Sequence, residues 1–324
     1  MLLYLRLPRQ MKGDRTSAVL IATLPALLAT LCCQNVTRGD TWTELNGSAV
    51  EFWSFRERFH RTYGVNSQQF DQRLRSFQDA IKRHVHLNSL STSPKSAQYG
   101  INQFSDLSQE EFRNLYLQAS SDQAPLFPGP KTEGLPAKFD WRDKTVVAPV
   151  PNQLACGSCW AFSVVGAMQS VHAIGGSQLM ELSVQQVLDL KLVLQPEYPY
   201  KAKTGICHFF SPSHGGVALK NFTAHGFSGQ EEAMMGHLVE HGPLAVIVDA
   251  VSWQDYLGGI IQHHCSSQRS NHAVLVVGYN AAGEIPYWIV QNSWGTTWGD
   301  EGYVYIKIGG NVCGIADSVA ALFL

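Results

Sequence analysis

The sequence predicts an α+β fold of two lobes, with a separate helical segment in front of it. Three observations predict it. They are a helix-period block from Phe52 to Leu90, a Pro- and Gly-rich stretch from Ser120 to Pro136, and beyond that one helical run followed by four strand-like runs. A helix first and strands later within one block fits α+β layering better than alternating βαβ units. At 324 residues and 45% hydrophobic content, the chain can bury one large core or two smaller ones. Lys+Arg 24 against Asp+Glu 26 leaves a net charge of −2. That balance offers no basic surface of the kind that nucleic acid or an anionic membrane requires. The charged fraction of 15% fits a compact chain rather than a disordered one.

At the N-terminus, Arg6, Arg9, Lys12 and Arg15 precede the apolar run Ala18 to Cys33, and polar Gln34 and Asn35 follow it. A positive flank before a short apolar run reads as a secretory signal, residues 1–33, with cleavage expected between Ala29 and Gln34. A membrane anchor is the competing reading. A spanning helix needs about 20 apolar residues, whereas this run is shorter and Pro25 interrupts it. Met11 is an alternative start that keeps the same run. The secretory route gives meaning to the glycosylation sequons at Asn35, Asn46 and Asn221, and it offers the seven cysteines an oxidising compartment.

Next comes the helical block. Phe52, Phe55 and Phe59, then Phe70, Leu74, Phe77, Ile81 and Val85, recur at three- and four-residue spacing. Arg56, Glu57, Arg73, Arg75, Lys82 and Arg83 make the other face polar, so two amphipathic helices broken near Gly64–Ser67 are expected. The stretch 120–136 carries Pro125, Pro128, Pro130 and Pro136 with Gly129 and Gly134, the composition of an exposed linker open to proteolysis. Beyond it, Ser158 to Ala173 reads as a helix, with Ser158 as its cap and Gly175-Gly176 as its stop. Strands are expected at 244–248, 273–277, 287–290 and 303–308. No internal repeat or low-complexity tract interrupts the chain.

The residues that name a chemistry are Gln153-Leu154-Ala155-Cys156-Gly157-Ser158-Cys159-Trp160, Asn271-His272-Ala273 and Gln291-Asn292-Ser293-Trp294-Gly295. A thiol is a good nucleophile only as thiolate. In the first turn of a helix, Cys159 would lie at the positive end of the dipole. An imidazolium beside it, with His272 as the candidate, stabilises the thiolate further. Asn292 can accept the other ring N–H and fix the imidazole. The Gln153 amide and the Cys159 backbone N–H can hold an oxyanion. Duller readings compete: a buried cysteine is often only a small core residue, and Cys156 can be half of a disulfide. A Cys-x-x-Cys pair can also be a redox dithiol or half of a zinc site. Here Pro149-Val150-Pro151-Asn152 precedes the pair where a redox motif would follow a strand, and no second pair stands at ligand spacing.

The segment resembles the papain-like cysteine peptidases, whose signature around the nucleophile matches Cys156-Gly157-Ser158-Cys159-Trp160. The resemblance extends through Phe139-Asp140-Trp141-Arg142, through Asn292 to Gly299, and through Gly302-Tyr303. It implies a two-lobed fold, a helical N-terminal lobe and a β-barrel-like C-terminal lobe with a cleft between, preceded by a helical propeptide. It implies Cys159 as nucleophile, His272 as base, Asn292 as orienter and Gln153 as oxyanion donor. Trp294 would shield the Asn–His bond and Trp298 would line the leaving-group side. Asn271, Ala273 and Ser318 would line a pocket with no acid to attract Arg, hence an apolar preference. Cys265 with Cys313 is the implied disulfide. Gly100-Ile101-Asn102-Gln103-Phe104-Ser105-Asp106 is similar to the family's propeptide motif, carried by Gly100, Asn102, Phe104 and Asp106. Arg73, Phe77 and Asn88 match its long-helix motif, while Gln69, Ala80 and His84 depart from it.

The resemblance therefore implies a zymogen of three parts: a signal at 1–33, an inhibitory propeptide at 34–134 and a peptidase domain at 135–324. It implies a monomeric lysosomal endopeptidase, reached through the secretory pathway and open to extracellular release. The enzyme would degrade protein and peptide substrates, bind its own propeptide and cystatin-type inhibitors, and need no metal and no cofactor. One departure is serious. The family follows Leu-x-Asp with a Cys, a Cys-Asn-Gly-Gly segment and another helix before Tyr-Pro-Tyr, whereas here Leu188-Asp189-Leu190 leads directly to Tyr198-Pro199-Tyr200. The interval from Cys159 to His272 is also shorter than the family's roughly 130–150 residues. A segment is thus expected to be missing near 189–190, with one cleft wall and the partners of Cys156 and Cys207. Two lost bridges would cost about 2–5 kcal/mol each. A second class of function follows, an inactive relative acting through its propeptide as a binding inhibitor.

Overall fold

The computed structural model describes residues 42–324 apart from 66, 121–122, 131–132, 187–190, 193, 197–198, 204–216, 264 and 266–269. The expected signal, the sequon at Asn35, Cys207 and the junction at 189–190 lie outside the described residues, as does the side chain of Asn46. The chain divides into Met1–Ser48 and Ala49–Leu324. Of the first unit only 42–48, within helix α1, are described; all that follows concerns the second.

Helices α1 (Trp42–Arg58) and α2 (Gln68–Ser89) are the amphipathic pair that the spacing predicts, the first starting ten residues before Phe52. Ser67 begins α2 because its hydroxyl accepts the Phe70 N–H at 3.1 Å. Phe52, Phe55, Tyr63 and Phe77 meet as a buried aromatic core of their own, Phe77 lying 5.3 Å from Phe52 and 5.1 Å from Phe55 between ring centroids. Strand β1 (Gln98–Tyr99) and helix α3 (Gln109–Tyr116) complete this N-terminal part. A reciprocal capping box starts α3, with Ser108 accepting from the Glu111 N–H and Glu111 from the Ser108 N–H.

Beyond these come β2 (Lys138–Asp140), α4 (Cys159–Ile174), β3 (Lys191–Leu192), β4 (Val217–Ala218), β5 (Asn221–His225) and α5 (Glu231–His241). Then follow β6 (Leu244–Val248), β7 (Tyr256–Gly258), β8 (Ile260–Ile261), β9 (His272–Asn280), β10 (Tyr287–Gln291), β11 (Tyr303–Lys307) and β12 (Val319–Phe323). An eight-stranded sheet runs β5-β12-β6-β9-β10-β11-β8, with β2 also on β9. Every pairing in it is antiparallel except β11 with β8.

β9 is the divider of the molecule, buried from His272 to Tyr279. Successive side chains on a strand point to opposite faces. Val274 and Val276 therefore enter the larger core with Trp288 and Val304, while Leu275 and Val277 enter a smaller one with Val165, Ala167 and Met168 of α4. Helix α4 has almost no polar face, as expected of a helix enclosed on most sides. Ser163 Oγ ties it to β9 by donating to the Val274 carbonyl at 2.7 Å. This packing sets the first residue of α4 beside the first residue of β9.

Two expectations need correction. Ser158 occupies the N-cap position of α4 but makes no side-chain cap bond, because its hydroxyl is engaged elsewhere. The linker is also not exposed throughout. Leu126 is exposed, but the Phe127 N–H donates to the Gly226 carbonyl at 2.9 Å and Gly226 returns a bond to Pro125 at 2.8 Å. The Phe127 ring packs on Phe227, His237 and His225, with centroids 4.8, 5.3 and 5.6 Å away. Composition reads the flexibility of Pro and Gly, not the partner a hundred residues away.

Burial, helped by His241 and His225, pushes His237 from 6.5 down to about 4. The unfolded chain therefore binds more protons between those values, so stability falls as pH drops from about 6.5 to about 4 and levels off below. Solvent around this half-buried ring screens the effect, so the loss from this one group is about 1–2 kcal/mol. Replacing His237 with Gln should flatten the stability–pH curve in that window, measured by denaturant titration; an unchanged slope would remove His237 as its cause.

Candidate active site

Cys159 opens α4, is fully buried, and has the partial positive charge of the helix start behind it. Facing it is His272, also fully buried, whose Nε2 donates to Asn292 Oδ1 at 2.7 Å. That bond leaves Nδ1, buried and with no other partner, for the thiol. Burial alone would raise the Cys159 thiol. The His272 charge and hydrogen bond, with backbone donors from Ala273 and Gln118, outweigh it and bring the thiol below its ordinary value. Trp294 stacks on the imidazole at 4.7 Å and 28°, covering the His272–Asn292 bond. Trp298 stands edge-on behind Trp294 at 4.7 Å and donates through Nε1 to the Trp253 carbonyl at 3.1 Å.

Gln153 is held from several sides. Its N–H donates to the Ser293 carbonyl at 2.8 Å, and Ser293 Oγ donates to its Oε1 at 2.6 Å. Those bonds fix the amide so that Nε2 points to the carbonyls of Cys156, at 2.7 Å, and Tyr116, at 3.2 Å. Leu154 next to it adopts φ 55, a left-handed conformation costly for a branched residue. The arrangement can raise a thiolate, keep an imidazole oriented, and offer an amide N–H where negative charge develops.

The chain around 116–119 already lies across these groups. Tyr116 puts its carbonyl on the Gln153 amide, and the Ala119 N–H donates to the Asn271 carbonyl at 3.0 Å. Ala119 is buried against Cys159 and Ala273. A Cβ on Gly157 would collide with the Gln118 side chain, so this close passage needs glycine there. Phe104, Phe112 and Tyr116 set their ring edges against Trp294 at 5.5, 5.2 and 6.2 Å. Gln103 bonds the Trp294 carbonyl at 3.0 Å and accepts from Thr297 at 2.7 Å.

Docking of the preceding segment is equally specific. β1 adds antiparallel to β7. Asn102 Nδ2 donates to the Gln254 carbonyl at 2.8 Å, and Gln254 Nε2 donates to the carbonyls of Phe104 and Leu107. Arg83 grips buried Asp255 with two bonds of 2.7 and 3.0 Å, and His84 Nε2 lies 3.1 Å from the same carboxylate. Asp106 pairs with Arg61 at 3.0 Å, while Arg73 bridges the Asp106 carbonyl and Glu111. Gly100 lies within this docked stretch, where an added Cβ would collide with the Leu257 side chain.

The expected pocket residues are less uniform. Ala273 touches Cys159. The Asn271 side chain is spent on buried Asp249, at 2.8 Å, and on the Ala250 N–H, so its carbonyl is what meets the N-terminal segment. Ser318 is half-buried, its carbonyl accepting from Ile247. Trp294 and Trp298 are wholly buried in this form rather than lining open space. Cys265 and Cys313 form a disulfide. Cys156 carries a free, half-buried thiol. Asn221 is exposed at the start of β5. Among the described residues no group of three or more His, Cys, Asp or Glu is placed to hold a metal ion. Sequence reasoning gave no role to Ser293, which a reading of the motif beyond Asn292 could have found, or to Tyr200, which it met only as a landmark in Tyr198-Pro199-Tyr200.

Comparison with known proteins gives consistent likenesses. The family described as papain family cysteine protease matches residues 135–193 and 190–323, in two pieces. The cathepsin propeptide inhibitor domain matches residues 52–112. Cathepsin O of Homo sapiens is 50% identical over 279 residues, 77% of this chain and 87% of that protein. Cysteine proteinase 1 of Dictyostelium discoideum is 33% identical over 316 residues, 83% of this chain and 91% of that protein. Among solved structures, digestive procathepsin L 3 of Tenebrio molitor superposes with a TM-score of 0.75 at 28% identity, covering 86% of this chain and 99% of that one. A stem bromelain precursor superposes with 0.76 at 29% identity, over 86% and 99%.

Proposed function

Because the chain belongs to the papain family of cysteine proteases and carries that family's propeptide domain, we propose that it hydrolyses peptide bonds through Cys159, His272 and Asn292. The observation that carries this reading is the relay itself: a thiol lowered by a buried imidazole whose far nitrogen is fixed 2.7 Å from Asn292. The Cys159 thiolate adds to the scissile carbonyl carbon. Its oxygen becomes an oxyanion held by Gln153 Nε2 and the Cys159 N–H. His272 gives its Nδ1 proton to the departing amine, leaving an acyl-enzyme. A water, deprotonated by the same nitrogen, then adds to the thioester and frees the acid product.

In the zymogen the Tyr116 carbonyl occupies the Gln153 donor, and the chain 117–119 shields the thiol. Substrate cannot reach either until that segment leaves. The propeptide match at 52–112 and the protease match from 135 support division at 34–134 and 135–324. The N-terminal signal composition supports entry to the secretory pathway, and the likeness to cathepsins supports a lysosomal destination within it. Pocket residues Asn271, Ala273 and Ser318 favour apolar substrate side chains, and cystatin-type inhibitors fit the same cleft of a monomer.

A second reading has its own observations. The family match breaks into two pieces around 190–193. A cavity of about 300 Å³, lined by Phe162, Val165, Gln169, Leu182, Gln195 and Tyr200, lies beside α4. Both support a missing segment at 189–190 and a damaged cleft wall, leaving a protein that acts through its propeptide.

Acid-treated full chain should be labelled by an epoxide probe, with all label lost in Cys159→Ala. Absence of label from the folded chain would sink the peptidase reading for this form. Labelling gained only after a family-type segment is inserted at 189–190 would favour the second reading.

A further inference from the structure

Tyr200 lies between the two places that would supply the oxyanion donors. Its hydroxyl donates to the Gln153 carbonyl at 2.9 Å. Its oxygen lies 2.5 Å from Ser158 Oγ. With its only proton on Gln153, the phenol must accept from the serine. The ring itself stands edge-on to Phe162, centroids 4.8 Å apart. Burial keeps the phenol protonated well above its ordinary range, so it remains a donor at any working pH.

These two contacts reach both donors. Gln153 carries one on its side chain. Ser158 supplies the carbonyl half of the peptide whose N–H, on Cys159, is the other. The contact also explains why Ser158 fails to cap α4: its hydroxyl faces Tyr200 rather than the first-turn amides. The loop between them is otherwise held by its own short bonds, Gln153 Nε2 on the Cys156 carbonyl at 2.7 Å and the Leu154 N–H on Asn152 Oδ1 at 2.9 Å, so Tyr200 is the tie that reaches it on this side from across the chain. Leu154 is in a left-handed conformation, and Cys156 has no disulfide partner among the described residues. Ser293 grips Gln153 only from the opposite side.

We propose that Tyr200 is a positioning residue for the oxyanion pocket, its single hydroxyl setting the Gln153 amide against the Cys159 N–H. The inference rests on the cysteine-peptidase reading and adds to it a residue that touches neither substrate nor nucleophile. Removing one oxyanion donor outright costs about 10²–10³ in rate. Freeing both to drift apart while each remains present should cost roughly tenfold in kcat.

The test compares acid-treated full chain with Tyr200→Phe, which keeps the ring on Phe162. A small disulfide reagent reports the thiolate alone, whereas acylation by a peptidyl nitrophenyl ester also needs the oxyanion pocket. Tyr200→Phe should lose about tenfold in acylation kcat with KM nearly unchanged, and react with the disulfide within about twofold of the parent. Its melting temperature should hold or rise, because Ser158 is released to cap the helix. Equal losses with both probes, a melting temperature that falls in step with activity, or no loss at all would each overturn the proposal. Ser158→Ala breaks the same contact with the ring untouched and must give the same split, even where Tyr200→Phe folds poorly. A parent chain that reacts with the disulfide but never acylates would overturn the peptidase reading and this one with it. That outcome is visible before any variant is made.

Discussion

Arg83→Ala is expected to weaken the propeptide's hold on the cleft by roughly a hundredfold. Asp255 is 1% exposed on its side chain, and the Arg83 guanidinium donates to both of its carboxylate oxygens. Removing one partner of a buried pair costs about 3–5 kcal/mol, because the other charge stays buried and unpaired. His84 remains at 3.1 Å and Arg83 is partly exposed, which places the effect at the lower end. The peptidase domain keeps all its own residues, so its stability should change little once the propeptide is gone. The measurement is the rate at which an epoxide probe reaches Cys159 in the full chain near neutral pH. Unchanged probe access in a folded Arg83→Ala chain would show that β1 and Asn102 carry the docking alone.

That pair also shows where sequence ceases to be legible. His84 reads as a departure from the long-helix motif, hence as weakening. In the fold its ring is buried 3.1 Å from Asp255, one hundred and more residues away, beside the Arg83 grip. The motif from Gly100 to Asp106 was readable because its residues stand together as a family pattern, although the partners they bind do not. The Asn102 amide does bind the Gln254 backbone, and Asp106 is enclosed by Arg61 and the Arg73 contact to its carbonyl. Cys159, His272, Asn292 and Gln153 were legible for a like reason, since each stands in a motif whose residue types already name a reaction. Their juxtaposition follows from α4 lying on β9, which needs only an apolar helix and an apolar strand.

The partners of Tyr200 and Ser293 were illegible although both stand in named motifs, because the contacts of a hydroxyl placed by tertiary packing leave no period and no spacing behind them. The same holds for β12, whose Val-Ala-Ala-Leu-Phe run does not alternate in character although it pairs with both β5 and β6. Helix α5 hides for another reason. Ala233, Met234, Met235, Gly236 and Leu238 are buried in near succession, so the apolar stripe that marks a surface helix is absent. Trp298 shows how the zymogen differs from an open cleft: it supports Trp294 from behind and is wholly buried while the propeptide is docked.

Trp294→Ala should therefore do more damage than any other single change outside the relay. The ring is wholly buried and touches His272 on one face, Trp298 at one edge and three propeptide rings at another. Truncating a buried Trp costs about 3–5 kcal/mol, a large share of a whole folding stability of 5–15. The second consequence is chemical. Without the indole, water reaches the His272–Asn292 bond and competes for both partners, and a hydrogen bond in water contributes far less than one in a dry site. His272 then loses its fixed orientation and Cys159 the ion pair that lowers its thiol. Trp294→Phe keeps an aromatic cover and should recover most of the stability. Thermal melting and acylation rate, measured on both variants, separate the two effects. If activity falls only by the fraction unfolded, the indole is packing alone; if folded Trp294→Ala still acylates at least tenfold more slowly than the parent, shielding of the imidazole is its second task.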